Sequence, residues 1–185
     1  MPLALALLLL GSACRSDSAA PSATSPIPRS VVTSGTSVAR AFPTTCDGLI
    51  ATEEVNALVG AGLIVSGSSP SPSAGGQTLT CRYAETAGAR PELSVVIVAT
   101  EYADAASATT QDTGGRRTVE AQGGSFAPVE RVGEEAYSFV YTKLFGVSAR
   151  LGRHTVTLGI GRGLRAPTTE AVNTTAQDIL SNLGR

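Results

Sequence analysis

The sequence predicts an α+β fold: an antiparallel β-sheet with helices packed against it, in one disulfide-closed domain over residues 44–185. Three observations predict it. From residue 44 onward the apolar patterns run helix, two or three strands, helix, about four strands, helix, with short turns between adjacent strands; such strands pair antiparallel and bury one face under helices. Thr168 to Leu183 carries Val172, Ala176, Ile179, Leu180 and Leu183 on one helical stripe. Two cysteines, Cys46 and Cys81, lie within the same region.

The elements follow in order. Thr52 is placed to cap a helix whose first turn holds Glu53 and Glu54, where acids favour the positive helix end. Val55, Leu58 and Val59 form its apolar stripe and Gly60 its stop. Leu63 to Val65 is a short strand, and Ser66 to Gly76 a Ser/Gly/Pro loop. Leu79, Cys81 and Tyr83 alternate, so all three face the core. Leu93 to Val98 is apolar at nearly every position, the pattern of a central strand covered on both faces. Glu101 to about Gln111 is a weaker helix ending near Gly114-Gly115, and Arg116 to Glu120 a further strand. Ala136 to Tyr141 sets Tyr137, Phe139 and Tyr141 on one face. Phe145, Val147, Ala149 and Leu151 share a face, as do Val156, Leu158 and Ile160, with Gly152-Arg153 as the hairpin turn between them.

Ahead of the domain, Leu3 to Leu10 is an unbroken Leu/Ala run, too short to span a bilayer and suited to a signal-peptide core. Gly11, Ser12 and Ala13 are small and precede Cys14, the arrangement a lipoprotein signal peptidase cleaves. Residues 1–13 are therefore the expected signal and Cys14 the expected lipidation site; ordinary cleavage leaving Cys14 as a spare thiol is the alternative. No Lys or Arg precedes the run, and Gly11 stands where leucine is commoner, so the translation start is expected further upstream. Two acyl chains anchor a protein stably where one does so only marginally, which places the domain on the extracytoplasmic face of the cell membrane.

Residues 14–43 form the expected tether. Of the 29 residues from Arg15 to Pro43, 20 are Ser, Thr, Ala, Gly or Pro, and no apolar periodicity appears. As a flexible coil this stretch reaches roughly 30 Å. With Cys14 set aside, Cys46 and Cys81 remain, and in an oxidising compartment such a pair reads as a disulfide; two buried free thiols are the alternative.

Composition narrows the function classes. The chain is 42% hydrophobic and 16% charged, with a net charge of −1, which argues against a nucleic-acid partner. Lys143 is the one lysine among fourteen basic residues. Charge is uneven: Lys143 to Arg165 holds five cations and no acid, whereas Thr44 to Thr142 holds five cations and twelve acids. Arg150 and Arg153 flank the hairpin turn, and Arg162 and Arg165 lie at its far end; if they share a surface, they suit anionic headgroups or an acidic wall polymer.

Short motifs suggest a relationship. Cys46-Asp47-Gly48 leads into the helix ending at Gly60, Cys81-Arg82-Tyr83 places an aromatic two residues past a cysteine, and Val132-Gly133-Glu134-Glu135-Ala136-Tyr137 precedes a paired-strand segment and a terminal helix. From Cys46 to Leu183 the chain resembles the actinobacterial lipoproteins that carry domain of unknown function three-five-five-eight. The resemblance implies an envelope location and a Cys46–Cys81 pair, and it implies no established activity.

Catalytic patterns are weak. His154, the single histidine, starts a strand on the parity of Val156 and is expected to be structural. Gly123 to Ala127 has the look of a nucleophile elbow without the strand-to-helix turn that motif needs. Gly159-Ile160-Gly161-Arg162-Gly163 lacks the glycine spacing and βαβ setting of a dinucleotide loop. Glu134 and Glu135 are adjacent on a strand and are expected to diverge as solvated charges. No cysteine or histidine spacing suits a metal. The expectation is a non-enzymatic lipoprotein without cofactor or metal, held to the membrane by its lipid and binding a small apolar ligand or an envelope protein. A structural or accessory subunit of an envelope complex is the alternative, and a hydrolase is the weakest reading.

Overall fold

Thr45 opens the fold. Its hydroxyl accepts from Gly48 N at 3.3 Å and starts a four-residue helix, α1 (Cys46–Leu49). Helix α2 (Thr52–Val59) follows, with Thr52 as its first helical residue and not its cap. Ala51 holds the cap position, where its methyl group can bond no amide, and the Thr52 hydroxyl donates instead to Asp47 Oδ1 at 3.4 Å. Gly60, at φ +65°, ends the helix.

The computed structural model describes residues 41–184 except 74, 87 and 88. Cys14, the expected signal over residues 1–13 and the expected tether as far as residue 40 lie outside the described residues. Strand β1 (Ile64–Ser73) is ten residues long, where the sequence led us to expect three and a loop. It pairs with β2 (Gly76–Ala84) from Ile64↔Ala84 to Ser73↔Gly76, with a bulge between Val65 and Gly67. Pro70 and Pro72 are tolerated because β1 is an edge strand, where alternate N–H groups have no partner to lose. A 3₁₀ turn (Pro91–Leu93) leads to β3 (Ser94–Glu101).

Helix α3 (Ala105–Ala121) corrects a second expectation. It starts at Asp104, whose Oδ1 accepts from Ser107 N at 2.7 Å, and runs through Gly114-Gly115 and the stretch expected as a strand. An interior glycine costs a helix about 1 kcal/mol but does not stop it. The left-handed glycine that follows the helix is Gly123, at φ +84°. Four strands remain: β4 (Ser125–Pro128), β5 (Glu135–Tyr141), β6 (Leu144–Leu151) and β7 (His154–Gly161), with Gly152-Arg153 as the turn between the last two. Helix α4 (Thr169–Leu183) closes the chain, capped by the Thr168 hydroxyl on Ala171 N.

The strands form one sheet in the order β1-β2-β3-β7-β6-β5-β4, each neighbouring pair antiparallel. Its first face holds the core. Leu79, Cys81 and Tyr83, then Val95 and Ile97, then Val147, Leu158 and Ile160 are buried there. Val55 and Val59 of α2 and the whole expected stripe of α4 pack into the same core. Full burial of each such aliphatic side chain contributes about 1.5–3 kcal/mol, so this face carries most of the stability. Cys46 and Cys81 are bonded, with Cα atoms 5.6 Å apart, and tie α1 to β2. Among the described residues no helix is long and apolar enough to cross a membrane.

Closing a 35-residue separation removes unfolded-state entropy. Replacing Cys46 and Cys81 together by alanine should lower the unfolding free energy by about 3–4 kcal/mol. Urea unfolding measures this directly; an unchanged midpoint would contradict it.

Candidate functional site

The second face of the sheet is built differently. Strand alternation sends Val96, Val98 and Thr100 of β3 to this side, opposite their buried neighbours. Register then lines up graded rows. Val96 stands beside Gly159, which faces Gly146, which faces Phe139. One row on, Val98, Thr157, Ser148 and Tyr137 are neighbours. The next row is Thr100, Thr155, Arg150 and Glu135. This face therefore runs from apolar to hydroxyl-bearing to charged along the strands.

Helix α3 lies over these rows and cannot close on them. Of its 17 residues only Ala108 is buried. Asp112, Gly115 and Val119 follow Ala108 at helical spacing and, with Gln111 and Arg116, line the space above the sheet. Small and polar side chains there leave a partly enclosed cavity of about 390 Å³ between helix and sheet, within the usual range for small-molecule sites. Glycine supplies room from both sides. A Cβ on Gly115 would meet nothing within 4 Å, and one on Gly159 would meet Leu144 Cδ1 and Phe139 Cζ only at 3.7 Å. Of the chain's four tyrosines and four phenylalanines, three and two line this cavity. Phe126 stands edge-on to Tyr137 at 5.0 Å between ring centroids.

A polar strut holds the helix off the sheet. The Tyr137 hydroxyl donates to Asp112 Oδ1 at 2.6 Å. The Arg116 guanidinium lies 4.7 Å from the Tyr137 ring centroid, and its Nη2 reaches Glu135 Oε1 at 2.7 Å. Towards the other end of α3, the Tyr141 hydroxyl donates to Gln122 Oε1. The Asp112 side chain is only 7% exposed. Burial pushes its pKa above the usual aspartate value, and the hydrogen bond from Tyr137 and the Arg116 charge oppose that only in part. Burial, and then the bond to Asp112, also pushes the Tyr137 hydroxyl above its ordinary value.

The residues singled out from sequence fall in several places. His154 points to the core side, away from Thr155, with Nε2 3.5 Å from Glu101 Oε1; burial lowers its pKa and Glu101 raises it in part. Gly123-Gly124 links α3 to β4, a helix-to-strand turn. Gly159 to Gly163 ends β7 and supplies the cavity floor at Gly159. Glu134 and Glu135 do not diverge: both reach Arg150, at 2.7 and 3.6 Å, because Glu134 precedes the strand and escapes its alternation. Arg153 meets Glu101 at 2.7 Å. Arg162 and Arg165 follow β7, an eight-residue strand and about 26 Å from the Gly152-Arg153 turn. Sequence reasoning passed over Asp112 and Arg116, and read Gly115 as a helix end and Gly159 as part of a glycine-rich strand end, not as parts of a cavity. A helix whose inward stripe reads Ala, Asp, Gly, Val was their available signal.

Comparison with protein-family models, with curated proteins and with solved structures returned no match.

An acid held above its ordinary value binds its proton more tightly folded than unfolded, so ionising it costs stability as pH rises above 3.8. The Asp112→Asn variant should therefore gain stability relative to the parent chain as pH goes from acid to neutral. Paired urea titrations across that range read the difference; a constant or shrinking gap would refute this assignment.

Proposed function

We propose that this chain is a lipid-anchored extracytoplasmic lipoprotein whose domain binds a small, largely apolar ligand in the cavity between α3 and the sheet, without catalysing a reaction on it. The observation that carries this reading is the sheet's two-sidedness. One face is buried under α1, α2 and α4, while the other gathers most of the chain's aromatic rings around space that the helix above it lacks the side chains to fill. A fold under selection for packing alone gains by filling such space. The chemistry of the walls agrees: aliphatic and aromatic surface with a few polar groups at one end is how small-molecule sites are lined. Anchoring through Cys14, and kinship with the lipoproteins named above, rest on the sequence motifs.

Gly159 offers a direct test. Its backbone is compatible with a side chain, since it is not among the glycines with positive φ, and a Cβ there would meet Leu144, Phe139 and the Val96 carbonyl at ordinary contact distance, 3.7 Å. Gly146 is unsuitable because a Cβ there would collide with the Leu158 carbonyl. The Gly159→Val variant should fold and unfold cooperatively yet lose at least tenfold in affinity for an apolar fluorescent dye. Equal uptake by variant and parent would place the dye elsewhere and remove the support for this cavity.

A further inference from the structure

We propose that the cavity takes a single-chain amphiphile with a neutral, hydroxyl-bearing head group, its chain against Val119, Phe139, Leu144 and Gly159 and its head over Ser148, Thr155 and Thr157. This assignment rests on the cavity being the binding site, and it adds the chemical class of the occupant.

The gradient along the strands gives the ligand two ends. The apolar end is closed by Val119 of α3, which lies close to Tyr141 across Gly124, and by Leu144 and Phe139 flanking Gly159. Two residues further along each strand the floor changes to hydroxyls. Ser148 and Thr157 bond each other at 2.9 Å through their side-chain oxygens. Ser148 also bonds the Tyr137 hydroxyl, so the pair offers an incoming head group chiefly lone pairs, which accept from its O–H groups. Thr155 adds a third hydroxyl on the same floor, and Thr100, bonded to Thr78 at 3.1 Å, a fourth.

Charge decides against an ionic head. The charged groups at this end are matched to one another: Arg116 to Glu135, with Tyr137 beneath it, and Asp112 to the Tyr137 hydroxyl. Beyond them Arg150 is held by Glu134 and Glu135. An anionic head would meet the Asp112 carboxylate as a like charge, and the Arg116 guanidinium beside it is already held by Glu135. A cationic head would have to displace Arg116 from its carboxylate and from the Tyr137 ring. Removing one partner of such a pair leaves the other uncompensated. A head that exchanges hydrogen bonds without net charge disturbs none of these contacts.

Three probes with the same eight-carbon chain separate the classes: octyl glucoside, octanoate and octyltrimethylammonium, each titrated below its micelle concentration into the full chain by calorimetry. The expected order puts octyl glucoside about tenfold or more tighter than either ion. A double variant, Ser148→Ala with Thr157→Val, replaces both partners of one hydrogen bond by apolar groups of similar shape, which a fold tolerates; Tyr137 loses its bond from Ser148 and keeps its donation to Asp112. It should erase that preference while leaving 1-octanol affinity unchanged. Tighter binding of either ion, or a preference that survives the double variant, would overturn the head-group assignment and leave the cavity reading standing. Binding of none of the probes, with 1-octanol also silent, would overturn both.

Discussion

A phenol and a carboxylate carry α3. Tyr137 stands on β5 with its ring side-on to Phe126, and its hydroxyl meets Asp112 from the helix at 2.6 Å. Arg116, one turn further along, lies on the face of the same ring and pairs with Glu135 of the same strand. The helix thus meets the sheet through a polar strut at Tyr137 and through few apolar contacts. Its distance from the sheet follows from that strut, and the cavity is the space so preserved. The bond fixes the spacing by its direction, while burial of the Asp112 carboxylate offsets its strength.

The two faces of the sheet divide the labour. Stability sits on the first face, where α1, α2 and α4 bury aliphatic side chains and the Cys46–Cys81 bond shortens the unfolded chain's reach. The second face can then forgo dense packing without loss of the fold. The helix over it has interior glycines and a single buried residue, features that would weaken a helix asked to hold a core. Backbone openings of α3 should accordingly cost less than those of β3 or β7, because local stability follows buried apolar contact.

Much of this fold is visible in the sequence, and the failures have physical causes. The stripe of α4, the alternation of Leu79, Cys81 and Tyr83, the aromatic face of β5 and the Gly152-Arg153 turn are all local patterns dictated by helix or strand period, and the structure places them so. The length of β1 is not local information. Ser66 to Ser73 has loop composition, and it becomes a strand because β2 offers a partner and the edge position forgives Pro70 and Pro72. Gly114-Gly115 looks like a helix end because glycine usually marks one, yet neither adopts a left-handed turn, and Gly123 does. The cavity was legible only in parts. The ring alternation on β5 showed half of its wall, while its other half depends on Gly159 of β7 and Gly115 of α3 lining one cavity across tertiary space. No period along the chain reports that. The acids that meet Arg150 and Arg153 likewise come from β3 and from the start of β5, so the acid-free run from Lys143 to Arg165 says little about local charge.

The central claim is that α3 is held off the sheet by the Tyr137–Asp112 strut and shelters an apolar chamber. Xenon-pressurised crystals test it most directly, since xenon settles against apolar walls without needing a particular head group. The account predicts xenon density between Gly115 and Gly159, beside Phe139 and Leu144, with the Tyr137–Asp112 bond intact. A crystal in which Val119 has settled onto Leu144 and Gly159, with no xenon beneath the helix, would contradict it.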